Sequence, residues 1–307
     1  MINTTLNYYT GCKLDRTSER RDDSDWLTAA LQRADCAILP VWRGKHPVVA
    51  GNRPLICDPK TCEALLTDSV EPIFLGLNRE QQPWFVIDIS HLENPAQHLT
   101  MIDEAEWLDL RRFGNLLDFP TGARLAYARA MVLWHDSHRF CNRCGEPTQL
   151  SQAGHQRLCD SSNCGNKLFP RIEPAVIMLI HDGDRCLLGR QAAWPPGRHS
   201  VLAGYVEPGE SLEDAVKREV KEEVGLEITD IGYHSSQAWP FPASIMLGFY
   251  ARATSFDITL LDNELESAAW FDRDALINNT IDGFLLPSRD SIAYQLIQDW
   301  LAGKLPA

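Results

Sequence analysis

The chain lacks the features that mark membrane and exported proteins. No run approaches the roughly 18 consecutive apolar residues of a membrane-spanning helix. The start, MINTTLNYYTGCKLDR, does not have the basic-then-apolar layout of a signal peptide. Basic charge is also scarce, since the net charge is −13. We therefore expect a cytoplasmic protein with no membrane partner, whose surface as a whole does not attract polyanions.

Internal repeats and low-complexity tracts are missing as well. With 307 residues, of which 44% are hydrophobic and 23% charged, the chain is an ordinary globular protein long enough for two domains and a small insert. We expect an α+β fold with an N-terminal α+β domain at 1–125, a connecting helix and cysteine unit at 126–169, and an α/β domain at 170–307. In the first domain the patterns predict helices at 62–66, 104–117 and 123–135.

The nine cysteines are an odd number, and no secretory signal accompanies them, which favours reduced thiols and a metal site. Four of them form two pairs, Cys141-Asn-Arg-Cys144 and, after fourteen intervening residues, Cys159-Asp-Ser-Ser-Asn-Cys164. Four thiolates form the tetrahedral sulfur set that Zn²⁺ prefers and leave no open position for water. The spacing predicts one structural zinc ion per chain, with two accidental pairs as the alternative. The other cysteines are interpreted as core or surface thiols.

The most informative segment runs from Gly204 to Leu226 and reads GYVEPGESLEDAVKREVKEEVGL. Ser211 is a good N-cap and Gly225 suits the C′ position, so the pattern predicts a helix at 212–224. On a helical wheel the buried side contains Glu219 and Glu223, with Glu222 at its edge. Buried carboxylates need compensation, which a hard divalent cation supplies. The alternative is a glutamate-rich surface helix, against which the wheel argues.

These carboxylates suggest a site for a divalent cation. Arg218 lies on the solvated side of the wheel and is expected to pair with Glu222, four residues later. Glu223, nearest the centre of the apolar side, is the candidate general base, which would orient or deprotonate a water molecule. The candidate ligands of Mg²⁺ or Mn²⁺ are Glu219, Glu222, Glu223 and Glu264, with Glu266 as the alternative to Glu264. The backbone carbonyls of Leu202-Ala203-Gly204, at the end of a predicted strand, are expected to complete the coordination.

A second candidate site follows the helix by about a dozen residues. It consists of Gln237, Ala238, Trp239, Pro240, Phe241, Pro242, Ala243 and Ser244. The two prolines are expected to fix an extended loop, which would hold the two aromatic rings ready to stack on a purine or a nicotinamide. Such stacking contributes about 1–3 kcal/mol per base. The alternative is an aromatic loop packed over the core.

The segment 204–226 fits the spacing G-x5-E-x7-R-E-U-x-E-E-x-G-U, with U aliphatic, and resembles the box of the Nudix hydrolases. The box, the aromatic loop and the cysteine unit together resemble the NADH pyrophosphatase family of these enzymes. That resemblance implies a C-terminal α/β/α sandwich with a mixed sheet and a zinc-ribbon-like unit. It also implies a homodimer that hydrolyses NAD(H) to NMN(H) and AMP and removes NAD caps from RNA.

The resemblance carries roles to further residues. It implies that the box carboxylates hold a cation that meets a diphosphate, and that the backbone ligand is the Ala203 carbonyl. It implies that Tyr205 stacks on the nicotinamide, that residues 237–244 recognise the nucleotide, and that Ala293 lines the substrate site. Phe169 falls where an aromatic of the partner subunit closes the pocket. Two alternatives stay open: a Nudix hydrolase of ADP-ribose, a diadenosine polyphosphate or FAD, and a zinc-containing nucleic-acid-binding regulator whose Nudix domain senses a ligand.

Overall fold

The computed structural model describes residues 7–67, 70–98, 105–261 and 264–305. The chain divides into two units. The N-terminal unit comprises Tyr9–Arg171 and Pro240–Ala243. The C-terminal unit comprises Ile172–Trp239, Ser244–Ala307 and the initial segment through Tyr8. Within the described residues, no helix combines the length and the apolar character needed to cross a bilayer.

The N-terminal unit contains three small sheets and one long helix. Its elements are α1 (Ser24–Leu31), β1 (Ala37–Val41), β2 (His46–Val49), β3 (Arg53–Pro54), β4 (Ile73–Leu77), β5 (Pro83–Asp88), β6 (Glu106–Leu108), α2 (Leu110–Phe113), α3 (Phe119–Ser137), β7 (Thr148–Ser151), β8 (Gln156–Cys159) and β9 (Lys167–Leu168). The sheet orders are β1-β5-β4, β3-β2-β6 and β7-β8-β9. Only β1 and β5 are parallel among these pairs.

The core of this unit forms around β1, β4 and β5, whose apolar runs are almost entirely buried. Ile38, Phe74 and Phe85 belong to one buried cluster that also includes Cys57 and Cys62. These two thiols are therefore core residues, which agrees with one of the two interpretations drawn from the sequence.

Two helix predictions in this unit were wrong. Residues 62–65 form turns and residue 66 has no regular structure. Most of 105–117 is divided between β6, α2 and a 3₁₀ turn at Gly114–Leu116, while residue 104 lies outside the described residues. The predicted break before residue 123 is instead the start of α3. The side chain of Asp118 accepts a hydrogen bond from Thr121 N at 2.9 Å, and Pro120 lies in the first turn, where a helix tolerates proline.

The C-terminal unit is a six-stranded mixed sheet with a helix on each face. Its elements are β10 (Glu173–Asp182), β11 (Arg185–Arg190), β12 (Leu202–Tyr205), α4 (Leu212–Val224), β13 (Ile228–Trp239), β14 (Ser244–Ala253), β15 (Ser267–Asp272), α5 (Arg273–Ile277) and α6 (Ile292–Leu301). The order is β13-β14-β10-β11-β15, and β12 pairs with the first half of β10. The pair β10–β14 is parallel.

The central strand β10 explains the layered arrangement. Val176 and Met178 cluster with Val216 and Val220 of α4, whereas Ile177 and Leu179 cluster with α6. Successive side chains of a strand point to opposite faces, so one apolar run supports both helices. The α/β/α sandwich is confirmed, and the pairing of β12 with β10 places Ala203 opposite Ile177.

Candidate active site

Helix α4 begins and ends where its local signals predict. The hydroxyl oxygen of Ser211 accepts a hydrogen bond from Asp214 N at 3.1 Å. Gly225 has a φ of 73°, and its N–H bonds to Lys221 O at 3.0 Å. Both ends of the helix therefore have partners for otherwise unsatisfied backbone groups. The acidic residues between them are fixed in register against the sheet.

Arg218 joins the box carboxylates to one another. Its guanidinium donates to both oxygens of Glu210, at 2.6 and 2.9 Å, and to Glu219 Oε1 and Glu222 Oε2, each at 2.9 Å. It also donates to Tyr205 O at 2.8 Å. The predicted Arg218–Glu222 pair is confirmed, but the expected position of Arg218 on the solvated side was wrong because its side chain folds back to these acceptors.

The carboxylates differ in their environment. Glu223 is 2% exposed and Glu219 8%, whereas the Glu222 side chain is 54% exposed. Desolvation raises the pKa of Glu219, and the nearby charges of Glu222 and Glu264 raise it further, against the lowering effect of Arg218. By contrast, hydrogen bonds from Arg218 and from Glu207 N hold the pKa of Glu210 at about 2.

Gly204 leaves the space that the Glu219 carboxylate occupies. A methyl group on Gly204 would lie 1.8 Å from Glu219 Cδ and 1.9 Å from Oε1. Strand β12 and helix α4 are therefore in direct contact at this point through backbone on one side and a carboxylate on the other. Glycine is required at position 204 because the backbone of β12 and the Glu219 carboxylate lie too close together for a Cβ atom.

The donor set suits a hard divalent cation. Glu219 and Glu223 are buried carboxylates one turn apart on α4, and Glu264 is close enough to influence Glu219 electrostatically. Such groups, with a backbone carbonyl such as that of Ala203, are the oxygen ligands that Mg²⁺-like ions take. In the described part of the chain, however, only the four cysteines converge as a ready cluster of three or more ligands.

A cavity of about 290 Å³ opens beside Glu223 within the C-terminal unit. Five of the predicted site residues line it, namely Ala203, Glu223, Gln237, Trp239 and Ala293. The apolar lining comes mainly from the sheet and α6, while Glu223 and several serines contribute polar groups. A largely apolar cleft with few polar groups is typical of a small-molecule site.

The loop prediction was only partly right. Residues up to Trp239 belong to β13, and the tip Pro240–Ala243 groups with the N-terminal unit. There Phe241 is buried, with Tyr9 edge-on at 6.0 Å and the Arg111 guanidinium 4.5 Å from its ring centroid. The Phe241 ring therefore packs against protein groups in this structure and is not accessible to a substrate.

Gln237 is used inside the protein. Its Nε2 donates to Asp290 O at 2.7 Å and to Tyr8 O at 3.2 Å, and its Oε1 accepts from Ile292 N at 2.8 Å. The side chain is 1% exposed. It ties β13 to the start of α6, which carries Ala293.

The remaining sequence candidates do not line this cavity. Tyr205 and Phe169 are 55% and 63% exposed. The acid considered as an alternative to Glu264, Glu266, forms an ion pair with Arg190. The residues that sequence reasoning missed are the cavity-lining Gln191, Trp194, Arg198, Ser200, Ser288 and Ser291. The run Trp194-Pro-Pro-Gly, just before the strand that delivers the box, was the available signal.

The cysteine unit has the geometry of a zinc site. The four sulfur atoms lie within 4.8 Å of one another, with Cys141–Cys164 at 3.9 Å and Cys144–Cys159 at 3.4 Å. Sulfur atoms about 2.3 Å from one zinc ion lie roughly 3.8 Å apart in a tetrahedron. Desolvation raises the pKa of the Cys141 thiol, but N–H donors, including Arg143 N at 3.4 Å, outweigh it and bring the pKa to about 6.

Comparisons with known proteins agree with this geometry. Three family models match in succession: the "NADH pyrophosphatase-like rudimentary NUDIX domain" at 37–134, the "NADH pyrophosphatase zinc ribbon domain" at 136–169 and the "NUDIX domain" at 171–293. They support a structural zinc ion at the cysteine cluster.

Named relatives point the same way. The human NAD-capped RNA hydrolase NUDT12 is 33% identical over 96% of this chain and 73% of its own length. The human mitochondrial NAD(P)H pyrophosphatase NUDT13 is 35% identical over 75% and 71%. The NAD-capped RNA hydrolase NudC of Mycobacterium tuberculosis is 43% identical over 64% and 66%. The chain therefore belongs to the NADH pyrophosphatase family of the Nudix hydrolases.

Proposed function

We propose that this chain hydrolyses the diphosphate of NAD(H) to NMN(H) and AMP, and that it removes NAD caps from RNA by the same reaction. The observation that carries the proposal is the cavity that joins the buried Glu223 carboxylate to Trp239 and Ala293. It offers a place for a heteroaromatic ring next to acidic groups that suit diphosphate chemistry. The names of the relatives, which act on NAD caps and NAD(P)H, support the same substrate class.

Cap removal restricts which half of the dinucleotide enters the cavity. In an NAD cap the RNA continues from the adenosine, so that half must stay open to solvent. The mononucleotide that carries the pyridine ring is then the half that fits inside. The Trp239 side chain lines the cavity and can stack on such a ring.

The catalytic groups of this chain are assigned as follows. Mg²⁺ or Mn²⁺, when bound by Glu219, Glu222, Glu223, Glu264 and the Ala203 carbonyl, supplies charge neutralisation for the diphosphate. Glu223 orients the attacking water and takes its proton. Arg218 holds Glu219 and Glu222 through the bonds described above and is itself anchored by Glu210.

The assembly and location belong to the same proposal. The rings of Phe140 and Phe169, 64% and 63% exposed, offer apolar surface to a partner and support a homodimer in which Phe169 reaches the partner's pocket. Tyr205 is exposed beside the box and is proposed to stack on the pyridine ring. We retain the cytoplasm as the proposed location.

The experiment compares Glu223→Gln with the wild type under Mg²⁺ or Mn²⁺. Glu213→Gln, on the exposed side of the same helix, is the matched control. We expect the Glu223 variant to fold normally and to lose about 10²- to 10⁴-fold in activity, as expected for a lost general base, while the control keeps its rate. Mass spectrometry of the products from NADH, NAD, ADP-ribose and NAD-capped RNA decides the substrate. Wild-type turnover by the Glu223 variant, or cleavage of ADP-ribose without any NMNH from NADH, would contradict the proposal.

A further inference from the structure

Three arginines of the N-terminal unit lie around one face of helix α3. Arg124 and Tyr127 are three residues apart on α3 and therefore share that face. The guanidinium carbon of Arg16 lies 3.6 Å from the centroid of the Tyr127 ring, and Arg124 Nε donates to Cys12 O at 3.3 Å. Arg21 completes the group, which we call the arginine cluster (Arg16, Arg21 and Arg124).

The charges of the arginine cluster act on the same neighbouring groups. Burial raises the pKa of Tyr127, and the charges of Arg16 and Arg21 lower it. Burial also raises the pKa of the Cys12 thiol, and the charges of Arg16 and Arg124 lower it. The pKa of Arg21 is itself lowered by burial and by the charge of Arg16, against the raising effect of Tyr127. The like charges of the cluster therefore oppose one another.

No acidic side chain neutralises the cluster. Within the described residues, the ion pairs of this unit are formed by other arginines, and the Nε of Arg21 is buried without a hydrogen-bond partner. Asp15 accepts a hydrogen bond from a backbone N–H at 3.0 Å and Asp22 one from a glutamine side chain at 2.6 Å. Glu19 acts on Arg21 without forming an ion pair. Because unpaired, partly buried cations are costly, the cluster favours an external anion.

Aromatic rings hold two of these cations in place. Arg16 lies over Tyr127, as described above, and the Arg124 guanidinium lies 4.4 Å from the centroid of the Trp84 ring. Such cation–π contacts orient the guanidinium plane and restrict its movement. Arginines with fixed planes are the side chains best suited to phosphate groups.

The distribution of charge between the two units indicates where a polyanion is accepted. The C-terminal unit carries 21 acidic and ten basic side chains, whereas the N-terminal unit carries 21 acidic and 19 basic ones. Nearly all of the net charge of −13 therefore belongs to the unit that holds the catalytic acids. That unit repels an RNA chain, and the N-terminal unit does not.

We infer that the arginine cluster binds the phosphate backbone of the RNA chain in an NAD-capped substrate. The inference rests on the proposed function, because only the capped RNA brings a chain of phosphates to this enzyme. A free dinucleotide has no such chain. The cluster therefore raises kcat/KM for capped RNA and leaves kcat/KM for NADH unchanged.

The test measures binding and cleavage separately with the wild type and with the double variant Arg16→Gln/Arg21→Gln. The Kd of an uncapped single-stranded RNA of about 20 nucleotides is measured by fluorescence anisotropy over a range of salt concentrations. The kcat/KM is measured for the same RNA with an NAD cap and for NADH. The control, Arg33→Gln/Arg53→Gln, removes the same charge from two exposed positions of the same unit.

The expected effects follow from counterion release. Affinity for a single strand falls with salt to a power of about 0.7 per phosphate contact, so two lost contacts at 0.1 M salt weaken RNA binding by about 25-fold. The salt slope should fall by about 1.4, and kcat/KM for capped RNA should fall by a similar factor to the affinity. Arg16→Lys/Arg21→Lys keeps both charges and should keep the slope, which separates binding from a structural role.

The outcomes distinguish this inference from the proposed function. An unchanged Kd in the glutamine double variant, or an equal loss in the control, overturns the inference. An equal loss of kcat/KM for NADH also overturns it, because the cluster would then serve the dinucleotide or the fold. If the wild type cleaves neither NADH nor capped RNA, the proposed function fails, whereas cleavage of both with an unchanged Kd in the double variant removes this inference alone.

Discussion

Replacing Gly204 with alanine tests whether the packing of β12 against α4 positions the Glu219 carboxylate. Gly204 has ordinary backbone torsions, because its φ lies outside the range that only glycine favours. The effect of Gly204→Ala is therefore steric. The new methyl group would lie 1.8 Å from Glu219 Cδ, far inside a normal contact distance.

The size of the effect follows from that distance. Ordinary carbon contacts are about 3.5–4.0 Å, so the carboxylate must retreat by roughly 1.5–2 Å. The obstacle is the end of a flexible side chain, so refolding it into another rotamer costs on the order of 1 kcal/mol of stability. A displacement of about 1 Å near reacting groups can cost about 100-fold in rate. We expect a folded protein whose kcat/KM for NADH falls by about that factor.

The assay is a double-mutant cycle with Glu219→Ala. If Gly204 acts only by making room for Glu219, then adding Gly204→Ala to Glu219→Ala costs nothing more. Gly122→Ala in helix α3, where the nearest neighbour of the new atom lies at an ordinary contact distance of 3.8 Å, controls for glycine replacement. Full activity in Gly204→Ala, or a further hundredfold loss in the Glu219→Ala background, would refute the reasoning.

Two other predictions concern the N-terminal unit. Cys144→Ser removes one of four thiolates, so zinc measured by plasma mass spectrometry should fall from one ion per chain toward none, and the protein should unfold at a lower temperature. Cys12→Ser, the control, should keep its zinc. Unchanged zinc in Cys144→Ser would rule out the site. Burial lowers the pKa of His135 to about 4 and that of His46 to about 3, and neighbouring arginines contribute. Because the unfolded histidines titrate near 6.5, their contribution to the free energy of unfolding is complete above that pH. It is lost as the pH falls toward 4, at about 1.4 kcal/mol per histidine per pH unit. Denaturant unfolding at pH 7.5 and 5.5 should show this decrease in the free energy of unfolding, and equal stability at both pH values would contradict it.

The box helix could be predicted residue by residue because its signals are local. Ser211 and Gly225 define the ends of α4, and the wheel assigns Glu219 and Glu223 to the buried side. The position of Arg218 could not be read from the wheel. A long side chain bends toward acceptors contributed by Glu210 and the Tyr205 carbonyl, and a wheel represents only the direction of Cβ.

The aromatic loop shows the opposite case. Its sequence predicts two aromatic side chains held by two prolines. The local sequence does not distinguish an aromatic ring that contacts a ligand from one that packs against the protein. Trp239 lines the cavity, whereas Phe241 packs against Tyr9 and Arg111, which are remote in sequence. Arg198 was missed for the same reason, because its place in the cavity lining is set by the fold.

The arginine at the centre of the box is compatible with a cation at the same carboxylates. One guanidinium contacts Glu210, Glu219 and Glu222, so two negative charges remain in that group before buried Glu223 is counted. Arg218 donates twice to Glu210 but only once to Glu219 and once to Glu222. The two single bonds are the ones that a divalent ion can replace, while the paired bonds to Glu210 keep the arginine in place. The bonds of Arg218 thus hold Glu219 and Glu222 near each other on α4, where a divalent ion would take the same carboxylate oxygens.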